Sequence, residues 1–140
     1  MFLGPVRPVV SRPGRRLNEA KEAVFPRDFV LHSSGANDAF VAKLLDNRTI
    51  WAVALGGPYT DYGADVAVSS VVLVTGTFEY EMGNLTSMGG SDMFVAGLSV
   101  MSGDVEWMVA YGTFMDDFGS SVTADGSATS SAFLEPPHPI

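Results

Sequence analysis

The chain has 140 residues, no cysteine and a formal net charge of −8, with 46% hydrophobic and 17% charged residues, 15 glycines and 8 prolines. This makeup is too apolar for a disordered chain, too poor in charge for a coiled coil and rich in turn formers, as in all-β proteins built of short strands. The absence of cysteine excludes disulfide staples and thiolate metal sites.

Residues 1–27 form a basic, proline-interrupted leader. Arg7, Arg12, Arg15, Arg16, Lys21 and Arg27 face only Glu19 and Glu22 there, leaving +4 on the leader and −12 on the rest of the chain. A body that acidic repels phosphates, so nucleic acid is not an expected partner. Pro5, Pro8 and Pro13 break both helical and alternating patterns, so the leader is expected to be disordered, with a helical turn or two over 16–24, where Leu17, Ala20 and Val24 share a face. Its prolines and arginines also interrupt any apolar core of a secretory signal, and no run in the chain reaches the roughly 18 apolar residues of a membrane-spanning helix.

From Ser34 onward a motif occurs twice. The first copy reads NDAFVAKL (37–44), TIWAVALGG (49–57) and TDYGADVAV (60–68); the second reads SDMFVAGL (91–98), VEWMVAYGT (105–113) and DDFGSSVTA (116–124). Asp38, Phe40, Val41, Ala42 and Leu44 recur as Asp92, Phe94, Val95, Ala96 and Leu98 at a spacing of 54. Trp51, Val53, Ala54, Gly56, Asp61, Gly63 and Val66 recur as Trp107, Val109, Ala110, Gly112, Asp117, Gly119 and Val122 at a spacing of 56. The two extra residues fall in the turn 99–104. Twelve identities far exceed the roughly one or two expected from ordinary residue frequencies.

Each copy contains segments that alternate or run apolar as strands do, and VVLVTGTF (71–78), apolar and β-branched, reads as a strand covered on both faces. Turn signals lie at Asp46-Asn47, Gly56-Gly57-Pro58, Met88-Gly89-Gly90, Ser102-Gly103-Asp104 and Asp125-Gly126. The stretch 79–90 (EYEMGNLTSMGG) is expected to be the longest surface loop. The repeat region extends over 28–135, with repeats at about 34–78 and 89–133, and 136–140 is a tail.

The order DAFVAKL, a Trp-led strand ending in LGG, DYG with an alternating strand, then VLVTG resembles the SBBP-type repeat of seven-bladed β-propellers, over about residues 34–124. The resemblance implies antiparallel four-stranded blades: a first blade represented by its last strands, a complete one from Asp61 to Tyr111, and a third that begins at Asp117 and fades. It also implies a piece of a larger propeller, an exported or cell-surface setting, and a noncatalytic module that binds a protein or carbohydrate ligand, or scaffolds, through its blade loops. The alternative is part of a propeller hydrolase or lyase whose active site lies in other blades. Open blade edges would be satisfied by a homo-oligomer.

Asp61, Asp65 and Asp117 are the candidate metal ligands, with calcium the candidate ion. Yet TDYGAD lacks the acid spacing and distal Glu of a calcium loop, and fixing a turn needs only one carboxylate. Asp38 and Asp92 read as turn caps. Trp51 and Trp107 read as packing between blades rather than as a carbohydrate surface. His32 and His138 belong to no catalytic constellation, and GxSxG is absent, so no catalytic residue is assigned. Asn47 and Asn84 begin glycosylation triplets and mark surface turns.

Overall fold

A computed structural model describes residues 2–3, 22–25, 29–46, 48–125 and 130–135. They form strands β1 (Phe2–Leu3), β2 (Glu22–Phe25), β3 (Phe29–His32), β4 (Ala39–Leu45), β5 (Arg48–Leu55), β6 (Asp61–Val68), β7 (Val71–Met82), β8 (Leu85–Ser99), β9 (Val105–Tyr111), β10 (Phe118–Ala124) and β11 (Ser130–Glu135), with no helix among them. The protein is all-β, and every strand pairing is antiparallel.

At the centre is one four-stranded meander, β6-β7-β8-β9, running from Asp61 to Tyr111, the span read from the sequence as one whole unit. On one side lies the sheet β1-β4-β5, and β10, paired with β11, packs against β6, β7 and β8. The middle strand β7 is buried without interruption from Val72 to Phe78, because its hydrogen bonds are taken by β6 and β8 and both its faces are covered. Val72, Val74, Phe78, Phe94, Ala96 and Leu98 meet Ala39, Val41, Trp51 and Leu55 across the first inter-sheet layer.

The repeat recurs as geometry. In β5 Ile50 is an extra residue between Thr49 and Trp51, and in β9 Glu106 is extra between Val105 and Trp107. Ala64 in β6 and Ser120 in β10 are likewise extra, each directly after the repeated glycine. These bulges re-aim the side chains that follow them and sharpen strand twist, so their recurrence at a spacing of 56 belongs to the motif itself.

Three expectations are corrected. First, 79–90 is not a loop: β7 and β8 continue through it as a hairpin closed by Gly83-Asn84, with Met82 opposite Leu85. Gly83 has φ +59, the first central position of a two-residue turn where glycine avoids a side-chain clash, and Met82 is anchored in the core. Second, the end of the proposed helical turn, Glu22–Val24, is part of β2, because its alternating residues pair with β3 over Val30–His32; residues 16–21 lie outside the described residues. Phe2–Leu3 is also a strand, paired with Leu44 and Lys43, whereas the rest of the leader up to Lys21 and the tail 136–140 are outside the described residues.

Third, the two tryptophans differ. Trp51 is 5% exposed, lies against Gly103 in the β8–β9 turn and donates its indole N–H to the Val100 carbonyl at 3.1 Å, beside the Lys43 ammonium, which donates to the same oxygen at 2.7 Å. Trp107 lies over Gly97 but is 39% exposed, because among the described residues no further hairpin covers β9. Trp51→Ala should therefore cost about 3–5 kcal/mol of stability, as truncation of a buried aromatic does. Trp107→Ala should cost about 1 kcal/mol, the value of an ordinary half-exposed site. Urea midpoints of the two variants check this; equal losses would contradict the difference in packing.

Candidate functional site

Strands β4 and β6 enter their sheets in parallel, tied by the bridge between Asn37 and Thr60. Because β8 is two antiparallel steps from β6, it runs the same way. Asp117 reaches Ser91 as Asp61 reaches Asn37, each donating its backbone N–H to that carbonyl at 2.8 Å. The entries to β4, β6 and β10 and the Ser91–Asp92 level of β8 are thus gathered at one end of the stack.

A buried aspartate stands at the entry to β4, β6 and β10, and a fourth, Asp92, lies within β8 at the same level, opposite Phe78. Asp38, Asp61 and Asp92 are at most 1% exposed and Asp117 is 7% exposed. Each accepts the backbone N–H of the residue four positions earlier: Ser34 for Asp38, Gly57 for Asp61, Met88 for Asp92 and Thr113 for Asp117. A short acceptor that reaches back over a turn satisfies an N–H with no other partner, which is the chemistry of Asx-type turns. The sequence reading of these aspartates as turn-fixing groups describes this arrangement.

The recurrent glycines belong to the same device. A Cβ on Gly56 would fall 2.3 Å from the Asp38 carboxyl carbon, and one on Gly112 would fall 2.2 Å from that of Asp92. Each carboxylate lies flat over the glycine opposite it on the neighbouring strand. In both copies the serine hydroxyl lies within hydrogen-bond reach of the carbonyl two residues on, Ser33 Oγ at 3.0 Å from Gly35 O and Ser87 Oγ at 2.7 Å from Gly89 O; the copies differ in that Ser33 Oγ is also 3.1 Å from Asp38 Oδ1, whereas Asp92 Oδ1 has no hydrogen bond. Ser33, Gly35 and Asp38 recur as Ser87, Gly89 and Asp92, an extension of the motif by five residues that the sequence reading missed although the spacing of 54 already held it.

The three candidate metal ligands do not form a ligand cluster. Asp61 binds the amides of Gly57 and Glu79, Asp117 binds Thr113, and Asp65 accepts from Val66 and, across to β10, from Val122 at 3.0 Å. Among the described residues no group of three or more His, Asp or Glu side chains is placed to hold a metal ion. His32 is at the end of β3 and exposed, while His138 and Asn47 lie outside the described residues.

Around the buried acids the same end carries exposed apolar side chains. Tyr59 and Tyr80 meet edge to face with centroids 4.9 Å apart, and Met88, Phe114 and Met115 are 62%, 85% and 64% exposed. Tyr80 sits at a register shift in β7 with φ +55, an unfavourable conformation for a bulky residue. Aromatic and methionine side chains on loops offer stacking and adaptable apolar contact to a ligand.

Burial raises the Asp61 carboxyl to about pKa 6, with the carboxylates of Asp38 and Glu79 adding to the rise and the N–H groups of Gly57 and Glu79 opposing it. The folded chain then holds a proton that the unfolded chain has released, so this group's contribution to stability is full below about pH 4 and is lost as the pH rises through 6. Asp61→Asn keeps an acceptor for Gly57 but does not titrate. Urea midpoints from pH 4 to pH 7 should fall more steeply in the parent than in this variant. Asp38→Ala, which orphans the Ser34 amide, should lower stability by about 1–3 kcal/mol at neutral pH in the same assay. No protein-family model matches the chain, and no curated protein matches it.

Proposed function

We propose that the chain is a noncatalytic propeller-type repeat module that binds a protein or carbohydrate ligand through the loop end of its stacked sheets. The observation that carries this reading is the division of labour at that end. The buried carboxylates are spent on backbone N–H groups, while Tyr59, Tyr80, Met88, Phe114 and Met115 face outward from turns and a hairpin held by those same carboxylates. Loops on a rigid frame are where proteins place recognition, and solvent-facing aromatics in clusters are typical anchors of such surfaces. The central four-stranded meander, flanked on both faces, supports the blade-type reading, since four antiparallel strands per radial unit is the propeller pattern.

Tyr80 favours recognition over packing as the role of this rim. Holding a tyrosine at positive φ costs of order 1–2 kcal/mol, and strain of this kind persists where something other than stability is served. Glycan and peptide arrays, followed by calorimetry on the best binder, test the reading. Tyr80→Gly should leave stability within about 1 kcal/mol, because relief of strain offsets the lost edge contact and the added chain entropy. It should weaken binding about tenfold, and Phe114→Ala should do the same. If a binder keeps its affinity when Tyr59, Tyr80, Phe114 and Met115 are replaced together by alanine, recognition lies elsewhere.

A further inference from the structure

Two incomplete sheets flank the complete one, and they are complementary. In the meander, β6 and β7 are followed by β8 and β9; on one side of it stand the counterparts of β6 and β7, namely β10 and β11, and on the other the counterparts of β8 and β9, namely β4 and β5. The registers agree: Phe118 to Ala124 pair with Glu135 to Ser130 around a bulge after Gly119, as Tyr62 to Val68 pair with Thr77 to Val72 around a bulge after Gly63. Among the described residues the outer edge of β11 has no partner strand.

In the meander, β9 presents Trp107, Val109 and Tyr111 on one face, 39%, 37% and 55% exposed, while Met108 and Ala110 on the other face pack into the core. Their counterparts Trp51 and Leu55 are 5% and 3% exposed, with Val53 packed between them, because the β8–β9 end of the next sheet covers them. The molecule thus shows what covers this stripe in the repeat: the last hairpin of a following unit.

Among the described residues, the slot on β4 that such a union needs is held by two pairings. In the meander, β7 pairs along the whole of 93–99 in β8, whereas among the described residues only Phe2 and Leu3 pair with the outer edge of β4, at Leu44 and Lys43. Those two residues stand where Val72 and Leu73 stand against Leu98 and Gly97.

We propose that a second copy of this chain completes the sheet begun by β10 and β11. Its β4–β5 hairpin adds to the free edge of β11, displacing its own β1, and covers Trp107, Val109 and Tyr111 of the first copy. The register follows from the meander: Ser130 stands opposite Leu44 of the second copy and Glu135 opposite its Ala39. The contact is head-to-tail, so copies add in a ring or an open array rather than as a two-fold dimer, and the main chain supplies the joint as in other strand additions.

The chain has no native cysteine, which makes cross-linking clean. Sedimentation over rising concentration should show species larger than one chain, and mixing a Ser130→Cys chain with a Leu44→Cys chain under mild oxidation should give a disulfide-linked pair. Ser130→Cys mixed with Met101→Cys, on the exposed β8–β9 turn, should not. In a Trp51→Phe background the emission of Trp107 should shift to the blue as chains associate. Val109→Lys places a charge on the stripe at an exposed position; it should leave the circular dichroism unchanged and weaken association at least about tenfold. Removing residues 1–3 should strengthen it. A single-chain mass at every concentration, equal cross-linking of the Met101→Cys control, or weaker association after removal of residues 1–3 would each overturn the proposal.

Discussion

The stacking of the sheets depends on how the chain turns from one strand into the next without leaving a turn amide unpaired. An aspartate at the head of β4, β6 and β10, and Asp92 at the same level within β8, reaches back four residues and takes that amide. The Gly57 bond is buried, where an orphaned N–H would cost about 1–3 kcal/mol, and the other three are part-buried and cost less to lose. Carboxylates are also expensive to bury, and each is tolerated because it accepts charge-assisted bonds at a site where its flat face can lie over a glycine or beside further amides. The main-chain bonds from Asp61 to Asn37 and from Asp117 to Ser91 then carry the same residues' backbones across to the preceding entry. One side chain thus shapes the turn while its own amide joins neighbouring entries.

Much of this is legible in the sequence. The spacings of 54 and 56 put Asp38 with Asp92 and Trp51 with Trp107, and the four apolar segments between Asp61 and Tyr111 became the four strands of one sheet. What escaped was long-range or ambiguous. Local composition made 79–90 look like a loop, yet alternation through Glu81, Met82, Leu85 and Thr86 about Gly83-Asn84 is a hairpin pattern, and burial of Met82 decides in its favour. The unlike exposure of Trp51 and Trp107 was unreadable in principle from identical local motifs, because it depends on whether a following hairpin is present. The pairing of Gly56 with Asp38 and Gly112 with Asp92 was visible only as separate identities; that they touch follows from strand register.

Electrostatics separates the two ends of each carboxylate story. The body is strongly acidic, but its four repeated aspartates face inward, and one of them, Asp61, resists ionisation until about pH 6. At the same level Tyr59, Tyr80, Met88, Phe114 and Met115 are exposed.

The covering of β7 on both faces and both edges has a consequence in time rather than in energy. Amides in the hairpin tip and in the edge strands can meet solvent through local openings that leave the rest of the fold in place. Those from Val72 to Phe78 have no such route, since freeing them requires parting β6 or β8 from β7 and lifting a neighbouring sheet away. Hydrogen exchange in a segment enclosed on every side proceeds through unfolding of the whole cooperative unit. The lifetime of the protons along this one strand is then the lifetime of the folded repeat.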